Sequence, residues 1–492
     1  MASRGEKLRR SLAFMLGLLE CLIFGCFFGW AALVYVLKGD GVYSHLCIGG
    51  NETAAVQSTK ELNQVVNTSG SNDVTTAGTN QSAAFPSCQA QDEMFSLCFT
   101  ISVFMMGVSQ FFIGWILDTL GIRFCRICGL VFFVSGCLMV AFASVDIPEL
   151  IFPGYTFMTI GGVHVFITNF RICDFFDTFQ LSVVTIYNAA IDTSGTIFLF
   201  LKLLYDAGFQ RSHCFIFLAV LSLVLVLIST FVFLPTKFIV PRSVVRLNAK
   251  RDHAVAEGED GDKKIETDVD VAIQGNSTED ETVHPFHHYI LTRVFFFHLI
   301  WLGLYQLRLI YFMGSLDVWI RRVTNNEEAE VSHYTNAASV AWVFAVIGGP
   351  LEGLILHFEN RRLHREGKSY YDRIQPAAIP QTIGTTLILV LSILVLFPIK
   401  QLLYIQFVLM VLSKNFLFGL GFAFLVMAFP GCHFGKISGV LIGINSVVCL
   451  LQYPFFIWAA HNETAVNIFL LCMVVVTYVQ PIHLAIGDRF KK

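Results

Sequence analysis

The sequence predicts an all-α integral membrane protein with twelve transmembrane helices arranged as two six-helix bundles. Three observations predict it. The chain has 492 residues, 55% hydrophobic and only 14% charged, with mean hydropathy +0.65, whereas soluble domains carry about 25% charged residues. Its apolar runs reach the roughly 20 residues that a helix needs to cross a bilayer. They also fall six and six around one long polar stretch, whose heart Glu257-Gly-Glu-Asp-Gly-Asp-Lys-Lys-Ile-Glu-Thr-Asp-Val-Asp270 has no aromatic residue and cannot bury enough apolar surface to fold alone. The expected plan is an N-terminal bundle over 1–234 with an outer loop at 38–93, a disordered cytosolic linker at 235–288, and a C-terminal bundle over 289–492.

The first apolar run, 11–36, follows Arg4, Lys7, Arg9 and Arg10. It is too long for a signal-peptide core and reads as a retained anchor with its basic end in the cytosol. The next spans are expected at 94–117, 124–144, 150–170, 182–204 and 213–234. The second half gives 291–314, 335–356, 377–399, 401–427, 437–459 and 465–485. This order places Arg123, Arg126, Lys237, Arg242, Arg361, Arg362, Lys436 and the Arg489–Lys492 tail on the cytosolic side. The outer loops stay poor in Lys and Arg, with Arg321 and Arg322 as the exception. Both termini are therefore expected in the cytosol.

Of thirteen cysteines, eleven lie in or beside apolar runs, where cysteine acts as a small hydrophobe. Cys47 and Cys88 sit in the first outer loop instead, which also carries N-x-[ST] sequons at Asn51, Asn67 and Asn80. An oxidising face is implied, with a Cys47–Cys88 disulfide expected and glycosylation at those three sites. Asn462-Glu-Thr falls in another outer loop and is a fourth expected site; Asn276-Ser-Thr falls in the linker and should stay bare.

After the second span comes Gly114-Trp-Ile-Leu-Asp118-Thr-Leu-Gly121-Ile-Arg123. It resembles the G-x-L-x-D-x-x-G-x-[RK] loop of the major facilitator superfamily, in which acid and base latch the cytosolic gate. Asp118, Arg123 and Arg126 are the gating candidates. The second-half counterpart, Gly353-Leu-Ile-Leu-His357-Phe-Glu-Asn-Arg361-Arg362, has His357 in place of the acid. In that superfamily the two halves rock about a central cavity.

Ionisable groups within a membrane are costly and mark a pathway or a pair. Glu20, in the first span, is a candidate for accepting substrate N–H groups; its alternative is a pairing between helices. Asn188 and Asp192 share a helix face four residues apart and either read a donor-rich ligand or fill a gap between helices. His298, Trp301 and Gln306 in span seven offer an aromatic surface and amide donors. Lys414 and Asn415 lie near the middle of span ten, where the lysine requires Glu20, Asp192 or Glu352 as counter-charge. Gly348-Gly349-Pro350 predicts a kink in span eight. Gly25 and Gly29 read as a helix-packing face, and no break in span one is expected.

No P-loop, zinc spacing or nucleophile elbow occurs, so no enzyme activity, cofactor or metal is expected. Net charge is −3 with no basic stripe, so no nucleic-acid partner is expected either. The chain should work in the bilayer as a monomer on a small-molecule substrate.

The strings Leu-Leu-Glu20-Cys-Leu-x-Phe, Phe-Gly29-Trp30, Cys88-x-Ala-Gln-Asp-Glu-x-Phe-Ser-Leu, Thr159-Ile-Gly-Gly, Ile-Thr168-Asn169, Leu-Leu-Tyr205, Gln306-Leu and His433-Phe-Gly-Lys436 resemble solute carrier family forty-three, within it the nucleobase-transporting branch. The resemblance implies sodium-independent facilitated diffusion of purine nucleobases, adenine, guanine and hypoxanthine, across the plasma membrane. The alternative that it carries is uniport of large neutral amino acids such as leucine. An unbroken first span favours the nucleobase, because a site for an amino-acid carboxylate commonly uses an unwound helix end.

Overall fold

A computed structural model describes residues 4–48, 88–169, 180–233, 286–363, 373–429 and 434–486, and every element among them is a helix. Most of the linker, the sequons at Asn51, Asn67 and Asn80, and His433 lie outside these residues. Among the described residues, ten stretches are long and apolar enough to cross a membrane. Nine are α1 (Leu8–Gly39), α2 (Gln89–Ile113), α3 (Leu120–Phe142), α4 (Pro148–Asn169), α6 (Arg211–Val232), α7 (Arg293–Gly314), α8 (Glu328–Leu363), α9 (Gln375–Leu394) and α10 (Leu402–Ala428). The tenth, Lys436–Ile486, doubles back where Asn462 leaves helical geometry, φ −154° and ψ 86°. Phe456 before that point and Val466 and Leu470 after it all pack in one cluster with Tyr311. This gives α11 (436–461) and α12 (463–486). The remaining span, α5 (180–206), consists of Gln180–Thr193, a 3₁₀ turn Ser194–Thr196, and Ile197–Asp206. Twelve spans result, as expected.

A Cys47–Cys88 disulfide, with Cα atoms 5.6 Å apart, ties the segment after α1 to the start of α2. It defines a disulfide end of the molecule, opposite the end where the chain begins. Gly121 makes the reversal from α2 to α3 at φ 83° and ψ 169°. A Cβ there would meet nothing within 4 Å, so backbone conformation alone favours glycine in the middle of the expected loop motif.

The structure corrects one expectation. α1 is not continuous: a 3₁₀ turn at Cys26–Gly29 separates Arg4–Phe24 from Trp30–Gly39. α8 likewise tightens at Trp342–Phe344, ahead of the expected kink site, while Pro350 lies inside the following helix Ala345–Leu363. The turns of α1, α5 and α8 stack on one another. A Cβ on Gly29 would stand 2.5 Å from the Gly195 carbonyl oxygen, and one on Gly195 would stand 2.8 Å from the Trp342 ring. Such closeness is available only where side chains are absent, and 3₁₀ geometry narrows the helix at the contact.

α1 is largely buried from Glu20 to Lys38 but leaves Leu8, Leu12, Met15 and Leu19 uncovered. The two halves meet over the disulfide half of the molecule and touch again in the other half, where a Cβ on Gly349 would stand 3.9 Å from Ala189 and one on Gly439 3.3 Å from Phe111.

Candidate functional site

The surface between the halves is layered, and the antiparallel helices keep the layers in order. At the disulfide end, Lys38 of α1 pairs with Asp317, in the short helix Leu316–Val323 after α7, and with Asp92 of α2, each at 2.6 Å. Arg321, one turn beyond Asp317, adds a second cation at 3.1 Å. Burial would raise the Asp317 carboxyl, but Lys38 and Arg321 outweigh it and hold the group below its ordinary range. Lys202 of α5 reaches Ser332 of α8 at 2.7 Å and lies 4.3 Å from the Tyr35 ring centroid. These contacts close that end. They also account for Arg321, an outer-loop cation that the charge bias left unexplained; Arg322 pairs with Glu463.

Below lies a small cavity lined by Ala32, Met313, Leu316, Ser339, Trp342 and Met410. Its floor is an aromatic and ionic layer. Phe28 of α1 and Trp342 of α8 stand 6.0 Å apart, tilted by 34°. The Lys414 ammonium of α10 sits 3.4 Å from the Phe28 ring centroid, 5.3 Å from Trp342 and 6.0 Å from Phe418, geometry that favours cation–π attraction. The same ammonium donates to Asp192 of α5, so the pair crosses from one half to the other. Asp192 thus supplies the counter-charge that the sequence left open among three acids.

Asn415, the residue after Lys414, lies against Gly348 and donates to the Ala345 carbonyl oxygen at 3.0 Å. Glu352 is 7% exposed and its carboxylate presses on Gly419. Phe28, Trp342 and Glu352 complete the layer around Asp192 and Lys414. Phe28 and Trp342 were not among the sequence candidates, because one Phe among 48 carries no signal until the fold places it.

Other candidates lie elsewhere. Glu20 and Arg126 meet each other: one guanidinium nitrogen donates to both carboxylate oxygens at 2.6 Å, and both residues are fully buried. Arg126 also donates to Ser229, Asn169, Thr168 and Thr230, so four helices of the N-terminal half share it. In this structure Arg126 is inside that half, not between halves, and Glu20 faces it and not the aromatic layer. Arg123 lies 5.8 Å from the Phe231 ring centroid; the Asp118 side chain is outside the description. His298 and Trp301 stack with centroids 5.6 Å apart. Trp301 donates to Thr385 at 2.9 Å, and His298 reaches the Gly421 carbonyl oxygen at 3.2 Å. Both are buried inside the C-terminal half. Asn188 and Gln306 are half-buried. Asn462 is exposed, and its side-chain oxygen accepts from the Ala465 N–H at 3.0 Å.

Residues 21–452 match the Major Facilitator Superfamily. The chain is 29% identical over 487 residues to equilibrative nucleobase transporter 1 of Bos taurus, covering 94% of each. It is 24% identical to large neutral amino acids transporter small subunit 3 of Homo sapiens, covering 89% of this chain and 86% of that one. A solved POT family transporter in complex with a thioalcohol-conjugated peptide superposes with a TM-score of 0.60 at 14% identity, covering 95% of both chains. That structural likeness concerns the fold alone.

Proposed function

The chain belongs to the Major Facilitator Superfamily, and on that premise we propose that it is a facilitative, sodium-independent transporter of purine nucleobases such as adenine, guanine and hypoxanthine. The observation that carries the reading is the layer formed by Asp192, Lys414, Phe28 and Trp342. A purine offers flat faces and an edge of N–H donors and ring-nitrogen acceptors. Phe28 and Trp342 supply apolar faces from opposite halves, and their 6.0 Å spacing is direct aromatic contact, within about 4.5–7 Å. They must part to admit a ring. Asp192 and Glu352 offer acceptors for N–H groups, and Lys414 and Asn415 offer donors. Because Asp192 and Lys414 belong to different halves, a ligand that engages both couples binding to their relative motion, as alternating access needs. The similarity to a nucleobase transporter over nearly the whole chain supports the same reading.

A second reading, uniport of large neutral amino acids, draws on the same pair. Lys414 suits a carboxylate and Asp192 an ammonium. The interruption of α1 also removes the objection that an unbroken first span raised. Under either reading we place the chain in the plasma membrane as a monomer, with both termini cytosolic and glycans at Asn51, Asn67, Asn80 and Asn462.

Uptake of labelled adenine and labelled leucine in sodium-free buffer, by cells expressing the chain and by mock cells, separates the two. Saturable adenine uptake, inhibited by guanine and hypoxanthine and insensitive to leucine, is expected. Leucine uptake without adenine uptake would select the second reading.

A further inference from the structure

Six cationic side chains are buried among the described residues: Lys38, Arg126, Lys202, Arg211, Arg308 and Lys414. Five have a carboxylate. Lys38 has Asp92 and Asp317, Arg126 has Glu20, Lys202 has Asp206, Arg211 has Asp40, and Lys414 has Asp192. Arg308 of α7 has none, although it is fully buried. Its Nε donates to Ser392 of α9 at 2.9 Å, and that hydroxyl donates onward to the Ile388 carbonyl oxygen at 2.7 Å. Nη1 and Nη2 have no hydrogen-bond partner. The Tyr311 ring centroid lies 5.9 Å from the guanidinium carbon.

A guanidinium in the interior of a bundle cannot shed its proton as a lysine can. Leaving it unpaired is strongly unfavourable, the reason buried charges are paired. The other five buried cations follow that rule within this same molecule. The two unused nitrogens form one fork, a geometry that holds a single anion by two parallel N–H bonds. Trp301 and Tyr305, on the same helix, bond to α9 and α10 within the C-terminal half. Arg308 continues that row toward α9, away from the layer between the halves, so the transported substrate is not its counter-ion.

We propose that Arg308 holds a small monovalent inorganic anion of the halide class inside the C-terminal half, as the missing counter-charge of α7. The site is independent of which substrate is carried. Its ligand neutralises the guanidinium, so binding favours the folded protein.

The test uses the purified full-length chain and thermal unfolding in sodium chloride against sodium gluconate at equal ionic strength. Chloride should raise the midpoint saturably in wild type. Arg308→Gln should abolish the chloride-dependent shift and, in gluconate, unfold no lower than wild type, because the stranded charge is gone. A bromide-soaked crystal of wild type should show anomalous density at the Arg308 fork, a readout that stands even if the variant does not fold. Equal midpoints in the two salts, a chloride shift retained by Arg308→Gln, or bromide density absent from the fork would each overturn the proposal and leave bound water as the partner of Arg308.

Discussion

Lys414 of α10 donates to Asp192 of α5, so one ion pair joins the two halves of the molecule at its centre. Neutralising one member strands the other in a nearly dry layer, and breaking a buried pair this way costs about 3–5 kcal/mol. Asp192→Asn and Lys414→Met should each lower thermal stability and reduce transport at least tenfold. The double variant should be more stable than either single one, because no charge is left unpaired. Unfolding midpoints of the purified variants test this. Additive losses would show that the pair does not act as a unit.

Glu20 and Arg126 make the same kind of pair, but inside one half. Glu20→Gln should therefore reduce folding yield and thermal stability, while the molecules that reach the surface keep the wild-type KM. A raised KM with normal stability would instead return Glu20 to the substrate path.

The difference between these two pairs shows what the sequence could and could not disclose. Twelve spans, the reversal near Gly121 and the Cys47–Cys88 bridge follow from local rules: apolar length, a glycine with positive φ, and compartment chemistry. Glu20, Asp192 and Lys414 stood out because ionisable groups are rare in apolar runs. Their partners did not, since Glu20–Arg126 and Asp192–Lys414 are separated by 106 and 222 positions and only the packing of helices chooses among acids. Phe28, Trp342 and the 3₁₀ turns were hidden for a related reason. Gly25 and Gly29 announce close packing, but not that Ser194 and Gly195 lie opposite them, with an indole on the other side of Gly195.

That indole gives a third prediction. A Cβ at position 195 would stand 2.8 Å from Trp342 ring carbons, too close without displacement. Gly195→Ala should push the indole toward Phe28 and cut transport several-fold, and adding Trp342→Phe should recover part of it. An unchanged rate in Gly195→Ala, measured at equal surface expression, would mean that Trp342 does not border the path.

At the disulfide end, Lys38 holds Asp317 and Asp92 together across the halves. Lys38→Gln should loosen that end, so that Ser339→Cys in the cavity below reacts faster with a membrane-impermeant thiol reagent. An unchanged rate would show that this cluster does not limit access.

The same cluster fixes a pH dependence. Asp317 is held below its ordinary value of 3.8 in the folded protein. Its stabilisation is complete above that value and is lost as pH falls through the lowered one. The difference in unfolding midpoint between wild type and Asp317→Asn should therefore be constant from about pH 5 to 8 and shrink only under more acid conditions. A difference that already shrinks between pH 8 and 5 would contradict the assignment.

Under the proposed function, this chain alone equilibrates purine nucleobases across a membrane. The most direct measurement is entry of labelled adenine into liposomes containing only the purified protein, with equal sodium, proton and electrical conditions on both sides. Saturable entry is expected that stops when inside and outside concentrations match, unaltered by an imposed sodium or proton gradient and accelerated by unlabelled hypoxanthine on the far side. Accumulation above the outside concentration under a proton gradient, or entry of leucine but not adenine, would contradict it.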